Sequence, residues 1–502
     1  MGTFLRARRV RLVAAFSVIL VLGSGLAACT EPPPPDAMGL RTVLVDGGFE
    51  VHWNSTPQGE SNGYLLEYAI GDDEWSLLAE PGTNSYSFTG AVPQTWYRFR
   101  VRSGFEPGSE PTHFNGWIQR VYVEPQLPVV RIDTEGHEPV VSKDDYLDAT
   151  MEIDPNGSSF DAYQGELRIK GRGNSTWKQP KKPYRLKLDD GSKILGMSKD
   201  KDWILLANHF DRSQVRTSGA ERISKATGLD WTPTYVHVEV LLNGEYLGVY
   251  QLTEKVEPED DRVDIKEMDP EDIAGEKVTG GFLMEIDSRL EENNEPGWRT
   301  PRDVPVVVKE PDPMEPEQRS YIRNFVNDFE DLLYSPDYQD PVNGYASVLD
   351  VDAFIDHWIL QEVTRNGDSF WSSTFFTKDR GEDLLVFGPM WDFDRSMGSP
   401  VTPREQPPEG WYARDHGPWV RRLFHDPAFV DRVHQRWDEL LPDLQAIPAE
   451  LEALASALGP SIDNDEARWD YELGPSDTPE FIRTWLETRI NWMTQAFDAE
   501  AT

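Results

Sequence analysis

The sequence predicts a multidomain protein in which a small all-β sandwich precedes a larger α+β domain built as two lobes. A chain of 502 residues is too long for one ordinary domain. Residues 40–124 contain short alternating apolar segments separated by turn residues, a pattern typical of a β-sandwich. Residues 129–287 are then rich in predicted strands and residues 317–497 in predicted helices, and this succession favours an α+β domain.

The first folded region, residues 39–125, is predicted to be the sandwich. Around Trp53, Tyr68 and residues 97–101 it resembles a fibronectin type III domain. The resemblance implies that Trp53 is the central core tryptophan and that Tyr97 occupies a tyrosine-corner position. We expect these aromatic side chains to be buried, and the domain to serve as a spacer or a weak adhesive module.

The N-terminus is typical of an exported protein. Residues 1–28 combine a basic start, an apolar run and small residues, which together predict a signal peptide. The sequence Leu-Ala-Ala before Cys29 resembles a bacterial lipobox, which implies that Cys29 is acylated after cleavage. Residues 29–38 are a proline-rich tether. We therefore expect an extracytoplasmic protein with a lipid anchor in the bacterial cell membrane; a plain secretory signal with an incidental cysteine is the alternative.

The net charge argues against one class of partner. The chain has 88 acidic side chains against 49 basic ones, which gives a formal charge of −39. Such a surface repels nucleic acid. We therefore expect no nucleic-acid partner.

The main domain is predicted to span residues 126–498, and its first motif is a glycine turn between two strands. Strand 166–170 is followed by residues 171–177, Gly-Arg-Gly-Asn-Ser-Thr-Trp, and then by strand 184–188. Lys187 alternates with the apolar residues of the second strand. Backbone N–H groups and a lysine suit an anion, so the pattern is consistent with a phosphate cradle. A simple hairpin with solvated cations is the alternative.

Other elements of the main domain follow from turn residues and helical periodicity. Asn243-Gly244 lies between two apolar runs and predicts a β-hairpin with a tight primed turn. The later part of the chain predicts helices at 317–333, 351–366, 419–424, 428–441, 449–458 and 478–497.

Three aspartates are candidate metal-binding or proton-accepting groups. Asp368 lies on a predicted loop ahead of Asp392 and Asp394. If residues 384–394 run as one strand, the period of two places Asp392 and Asp394 on the same face. Two carboxylates on an apolar strand need neutralisation, which Mg²⁺ would supply. Salt bridges to nearby arginines are the alternative.

With these motifs in order, the main domain resembles the CotH (spore coat protein H) family of atypical kinases. The matching segments are 171–177, 181–188, 242–254, 366–368 and 391–394. The resemblance implies a divergent protein-kinase-like fold with ATP and Mg²⁺ as cofactors. It also implies transfer of the γ-phosphoryl group to Ser or Thr of a protein substrate.

The resemblance further implies roles for individual residues. Asp368 would accept the hydroxyl proton as the catalytic aspartate. Asp392 would bind the metal, with Asp394 as a helper. Lys187 would contact the phosphates. The other nucleotide-binding residues would be Arg172, Asn174, Ser175 and Glu254.

Three functions are compatible with these patterns. The first is an exported, lipid-anchored Ser/Thr kinase that acts on a protein of the cell envelope or surface. The second is a non-catalytic binding or scaffold lipoprotein, because ATP is scarce outside the cytoplasm. The third is a glycosidase that uses Asp368 with Asp392 or Asp394 as acid and base; it would leave the glycine turn and Lys187 without a role.

Overall fold

The computed structural model describes residues 39–103, 116–401 and 407–500. Cys29, the predicted signal peptide and the tether lie outside these residues, so their assignments stay predictions. Within the described residues, no helix is both long enough and apolar enough to cross a membrane.

The N-terminal region consists of two antiparallel sheets and a short helix. Its elements are β1 (Arg41–Val45), β2 (Gly48–His52), α1 (Pro57–Asn62), β3 (Tyr64–Ile70), β4 (Ser76–Ala79), β5 (Ser85–Thr89), β6 (Thr95–Ser103) and β7 (Ile118–Tyr122). One sheet has the order β1-β2-β5 and the other β4-β3-β6-β7. Trp53 and Tyr97 are both buried, as predicted. The Tyr97 hydroxyl accepts a hydrogen bond from the Val92 N–H (2.8 Å). Assignment of this region to the fibronectin type III family stays a prediction.

Seven strands then close into a barrel. They are β8 (Val129–Thr134), β9 (Leu147–Asp154), β10 (Tyr163–Gly171), β11 (Tyr184–Ser192), β12 (Asp200–Leu206), β13 (Tyr235–Leu242) and β14 (Glu245–Glu254). The order around the barrel is β10-β11-β12-β14-β13-β8-β9, with β8 and β13 parallel. Tyr184, Leu186 and Leu188 alternate along β11 and pack in the barrel core, because successive strand residues point to opposite faces.

The hairpin predicted at Asn243-Gly244 is confirmed. Leu242 of β13 pairs with Glu245 of β14 directly across the turn. Asn243 and Gly244 have φ angles of 53° and 76°, as a tight primed turn requires.

A second antiparallel sheet and most of the helices complete the chain. The sheet strands are β15 (Phe282–Ile286), β16 (Gly297–Arg299), β17 (Pro305–Glu310), β18 (Thr374–Lys378) and β19 (Val386–Phe387), in the order β16-β17-β15-β18-β19. The helices are α2 (Arg216–Thr227), α3 (Pro316–Leu333), α4 (Val351–Thr364), α5 (Pro418–Leu423), α6 (Pro427–Trp469) and α7 (Pro479–Glu500). The chain therefore has a β-rich N-terminal part and a C-terminal part of mixed α and β structure. The finer assignment to kinase-like lobes stays a prediction.

Helix α6 replaces two helices that the sequence predicts separately, at 428–441 and 449–458. Pro442 and Pro448 suggested a break, because proline removes a helical hydrogen bond. The helix nevertheless continues through both positions. Leu444, Ile447 and Leu451 are buried along this stretch, and their packing offsets the cost of the prolines.

The C-terminal part of α6 is fastened to the barrel by a buried carboxylate. Asp465 accepts hydrogen bonds from the Lys181 ammonium (2.7 Å) and the Val249 N–H (2.8 Å). Tyr471 donates a third hydrogen bond to it (2.7 Å). Gly248 has a φ of 101°, and a Cβ there would lie 2.0 Å from an Asp465 oxygen. Glycine is therefore required at position 248 for the helix to approach this closely.

The two N-terminal sheets pack directly against the barrel. Leu241 and Tyr246 of the barrel belong to the same hydrophobic core as Trp53. The Trp96 indole N–H donates to the Ala467 carbonyl of α6 (2.9 Å). These contacts fix the N-terminal sheets on the barrel and on α6.

A second buried carboxylate joins the same three parts of the molecule. Glu239 of β13 is fully buried. It accepts hydrogen bonds from the backbone N–H groups of Gln126 (2.6 Å) and Leu127 (3.1 Å), which lead into the barrel. It also accepts from the Tyr246 hydroxyl (2.6 Å) and the Asn464 amide of α6 (3.0 Å). A buried carboxylate with several donors is well compensated for the loss of solvent.

We expect Asp465→Asn to destabilise the protein. The change would leave the Lys181 ammonium buried without its charge partner, which costs about 3 kcal/mol or more. Denaturant unfolding would measure the loss. Asp463→Asn, at an exposed position on the same helix, is the control and should change the free energy of unfolding by less than about 0.5 kcal/mol. Equal stabilities of the two variants would contradict this account of the helix–barrel contact.

Candidate functional site

A cavity of about 520 Å³ is lined by residues from both the barrel and the second sheet. Arg185 and Ile204 line it from the barrel, and Glu285 and Phe375 from the second sheet. The loop after β19 contributes Asp392 and neighbouring residues. Because the lining comes from separate parts of the chain, the cavity exists only when these parts are packed together.

The glycine turn after β10 contributes the residues that the sequence predicted. Arg172, Asn174 and Ser175 all line the cavity. Gly173 has a φ of 77°, which lets the chain turn sharply toward β11. The Lys143 ammonium donates to the Gly173 carbonyl (3.0 Å) and so holds the turn in place.

Arg172 is the cation of this turn that lies nearest the acidic loop. Its guanidinium lies over the Trp391 ring, 5.5 Å from the ring centroid. Burial lowers the pKa of Arg172, and the negative charge of Asp392 opposes that shift. Arg172 therefore places a positive charge close to the candidate metal-binding aspartate.

Two predicted nucleotide-binding residues do not line the cavity. The Lys187 ammonium lies 3.3 Å from an oxygen of Asp202, its cross-strand partner. Arg185, two residues earlier, binds the same carboxylate (2.6 Å) but does line the cavity. Lys187 has the predicted face but lies one pleat farther along the strand. Glu254 is buried outside the lining, where it accepts a hydrogen bond from the Thr234 N–H (2.9 Å).

The strand predicted for residues 384–394 is wrong in its second half. Strand β19 ends at Phe387, and Pro389 has no N–H with which to continue the ladder. Asp392 has a φ of 65°, in the left-handed region that non-glycine residues seldom adopt. Asp392 and Asp394 therefore do not share a strand face, although both line the cavity.

The environments of the two aspartates differ. Asp392 is exposed to the cavity, and the Ser373 hydroxyl lies 3.4 Å from one of its oxygens. Burial raises the pKa of Asp394 well above the ordinary value, and the charge of Asp392 raises it further. Two neighbouring carboxylates that face one cavity are a suitable donor set for a hard divalent cation, which would relieve their mutual repulsion.

Asp368 lies on the loop that follows α4. Arg365 ends that helix in a left-handed conformation (φ 47°), and the turn after it contains Asp368. Burial, and next the charge of Asp392, raise the pKa of Asp368 to about 6. Asp368 is not part of the cavity lining itself, but the charge of Asp392 acts on it strongly. The structure therefore brings the candidate base and the candidate metal ligand into one electrostatic unit.

Sequence reasoning missed a second pair of acidic residues, Glu285 and Asp287. Both line the cavity, at alternate positions at the end of β15. This is the arrangement that had been predicted for Asp392 and Asp394. The signal was present, because residues 280–287 were predicted to form a strand, and alternation along it places both carboxylates on one face.

The cations and hydroxyls around these two acids hold them in place. The Lys309 ammonium lies 3.2 Å from Glu285 and 2.7 Å from Glu295. Burial raises the pKa of Glu285 to about 7, against the effect of Lys309. Asp287 accepts a hydrogen bond from the Ser372 hydroxyl (3.0 Å). This part of the lining is thus a network of paired charges.

The whole lining combines anions and cations in a way that suits one class of ligand. Asp392 and Asp394 supply oxygen ligands for a divalent cation. Basic side chains of the same cavity suit an anion; they are Lys143, Lys170, Arg172, Arg185, Lys255, Arg289 and Lys309. A polyphosphate with a bound divalent cation has both kinds of charge.

Comparison with known proteins gives one informative match. No curated protein matches the chain. Among solved structures, one titled "Titin kinase and its flanking domains" is 9% identical, and the match covers 44% of this chain and 37% of that one with a TM-score of 0.14, too low to support an argument. The family model described as "CotH kinase protein" matches residues 168–493. Because this match spans well over half of the sequence and includes every residue of the candidate site, the chain belongs to the CotH kinase protein family.

Proposed function

We propose that the cavity binds ATP with Mg²⁺ and that the protein transfers the γ-phosphoryl group to Ser or Thr of a protein substrate. The observation that carries the proposal is the convergence of Asp392 and Asp394 with Arg172 in one cavity. Membership of the CotH kinase protein family supports a kinase-like activity. Phosphoryl transfer depends mainly on positioning and on neutralisation of charge, and this cavity contains groups for both.

Each residue would have a defined task in this reaction. Asp392 and Asp394 would hold the magnesium ion, which neutralises charge on the phosphates. Arg172, rather than Lys187, would bind a phosphate oxygen, because Arg172 lines the cavity and Lys187 does not. Asp368 would orient the acceptor hydroxyl and take its proton. Its raised pKa makes it a better proton acceptor than an ordinary aspartate.

The cellular setting is part of the proposal. A lipid anchor at Cys29 would place the protein on the outer side of the bacterial membrane, with an envelope or surface protein as its substrate. The rigid packing of the N-terminal sheets on the barrel is consistent with a spacer that presents the cavity at a fixed orientation.

The other two functions have less support. Basic side chains throughout the cavity have no role in glycoside hydrolysis, which needs two carboxylates beside a sugar-binding groove. A scaffold protein would have no need for adjacent carboxylates of raised pKa facing a cavity. The kinase proposal uses both features.

We expect Asp392→Asn to weaken Mg²⁺-dependent ATP binding by about 100-fold or more, since loss of even a supporting group at a metal site costs 10- to 100-fold. Isothermal titration calorimetry with and without Mg²⁺ would measure the change. Asparagine also accepts the left-handed backbone of this position, so the fold should be retained. Asp383→Asn, at an exposed position in the preceding loop, is the matched control. Unchanged binding in Asp392→Asn would refute the metal-site assignment.

Two further variants separate the candidate phosphate-binding cations. Arg172→Ala should weaken ATP binding by about 10-fold or more, because it removes a charge-assisted hydrogen bond inside the cavity. Lys187→Ala should leave the affinity nearly unchanged, because its ammonium pairs with Asp202 outside the lining. The reverse order of effects, measured in the same titration, would restore Lys187 as the phosphate-binding residue.

The pKa of Asp368 predicts the pH dependence of the reaction. Below about pH 6 the carboxyl group is protonated and cannot accept a proton, so kcat/KM for ATP should fall about tenfold per pH unit. Above that pH the group is ionised and the rate should level off. The fall in kcat should occur at lower pH, because the bound cation offsets the charge of Asp392. A rate that stays constant down to about pH 5, measured by steady-state kinetics, would exclude Asp368 as the base.

A further inference from the structure

Tyr235 is buried, yet its hydroxyl group has no hydrogen-bond partner among the described residues. The side chain is 6% exposed and lies at the start of β13. Val236 and Val238 of the same strand face the barrel core. Because strand residues alternate, Tyr235 points outward, and it packs in the core formed with the helices and the second sheet.

The strand register connects Tyr235 to the cavity. Tyr235 pairs with Thr253 of β14, and Thr253 pairs with Ile204 of β12. Ile204 lines the cavity. The Thr253 hydroxyl is also buried without a partner among the described residues. Two unsatisfied hydroxyl groups therefore occupy neighbouring positions in a row that ends at the cavity.

Charged groups of the cavity act on the Tyr235 hydroxyl. Burial raises its pKa well above the ordinary value, and the charges of Glu221, Asp392 and Glu254 raise it further, while Arg172 opposes them. Asp392 and Arg172 both line the cavity. The hydroxyl therefore keeps its proton at neutral pH and can act only as a neutral donor or acceptor.

A second cavity gives the competing explanation. Its volume is about 340 Å³, and Tyr235 lines it together with Ser218, Glu221 and His237. A water molecule held there could satisfy the hydroxyl in the free protein. In that case the hydroxyl would stabilise the fold and would have no part in ligand binding.

We propose that Tyr235 is a ligand-binding residue whose hydroxyl donates a hydrogen bond to an oxygen of the phosphoryl chain held in the cavity. The inference rests on the proposed function and extends it to a residue that lies outside the glycine turn and the acidic loop. A buried hydroxyl without a partner is unfavourable. The bound ligand would therefore satisfy a group that the free protein leaves unsatisfied.

The test is Tyr235→Phe in the full chain. Without ligand, the thermal unfolding midpoint should stay unchanged or rise, because the variant loses only an unpaired hydroxyl. The affinity for Mg²⁺-ATP should fall about 10-fold, equivalent to about 1.4 kcal/mol, and the affinity for Mg²⁺-tripolyphosphate should fall to the same extent. The shared loss would show that the contact is with the phosphoryl chain.

Tyr345→Phe is the matched control, because the Tyr345 hydroxyl donates to Asp426 (2.7 Å) outside the cavity. It should lower the unfolding midpoint and leave both affinities unchanged. If Tyr235→Phe behaves like Tyr345→Phe, the hydroxyl is structural and the inference fails while the proposed function stands. A loss with ATP but not with tripolyphosphate would also overturn it. If the wild-type protein binds neither ligand, both the inference and the proposed function fail.

Discussion

The buried contact between Asp465 and the barrel is the constraint on which the site depends. The Lys181 ammonium and the Val249 N–H both belong to the barrel, whereas Asp465 belongs to a helix that packs against the rest of the helical half. The cavity takes Arg172 from one of these halves and Asp392 from the other. Their separation is therefore set by a charge pair that is shielded from solvent and salt, and this pair contacts neither residue directly.

The electrostatics of the molecule are uneven in a way that favours anion binding at one place. The chain carries a formal charge of −39, so its surface as a whole repels a polyphosphate. The cavity nevertheless collects basic side chains from the barrel and from the second sheet. Arg289 and Lys309 lie beside acids that partly neutralise them, whereas Arg172 lies over an aromatic ring. Attraction of an anion is thus local to the cavity and depends on the divalent cation that accompanies it.

The sequence allowed the hairpin at Asn243-Gly244 and the inward face of β11 to be predicted, because both depend on local backbone preferences and on alternation. It placed Lys187 on the correct face but could not show how far along the strand the cavity extends, since that depends on the packing of distant segments. The continuous helix through Pro448 was missed for a similar reason: burial of its neighbours outweighs the local penalty. Glu285 and Asp287 could have been found by applying the alternation rule to every strand.

The left-handed backbone at Asp392 has a consequence for how this activity can be lost. Few residues accept a φ near 65°; asparagine and glycine do so readily, and both are one base change away from the aspartate codons. Either replacement would remove the metal ligand and leave the surrounding loop in its present shape. A descendant gene could therefore encode a stable, well-folded protein that has given up phosphoryl transfer in a single mutational step.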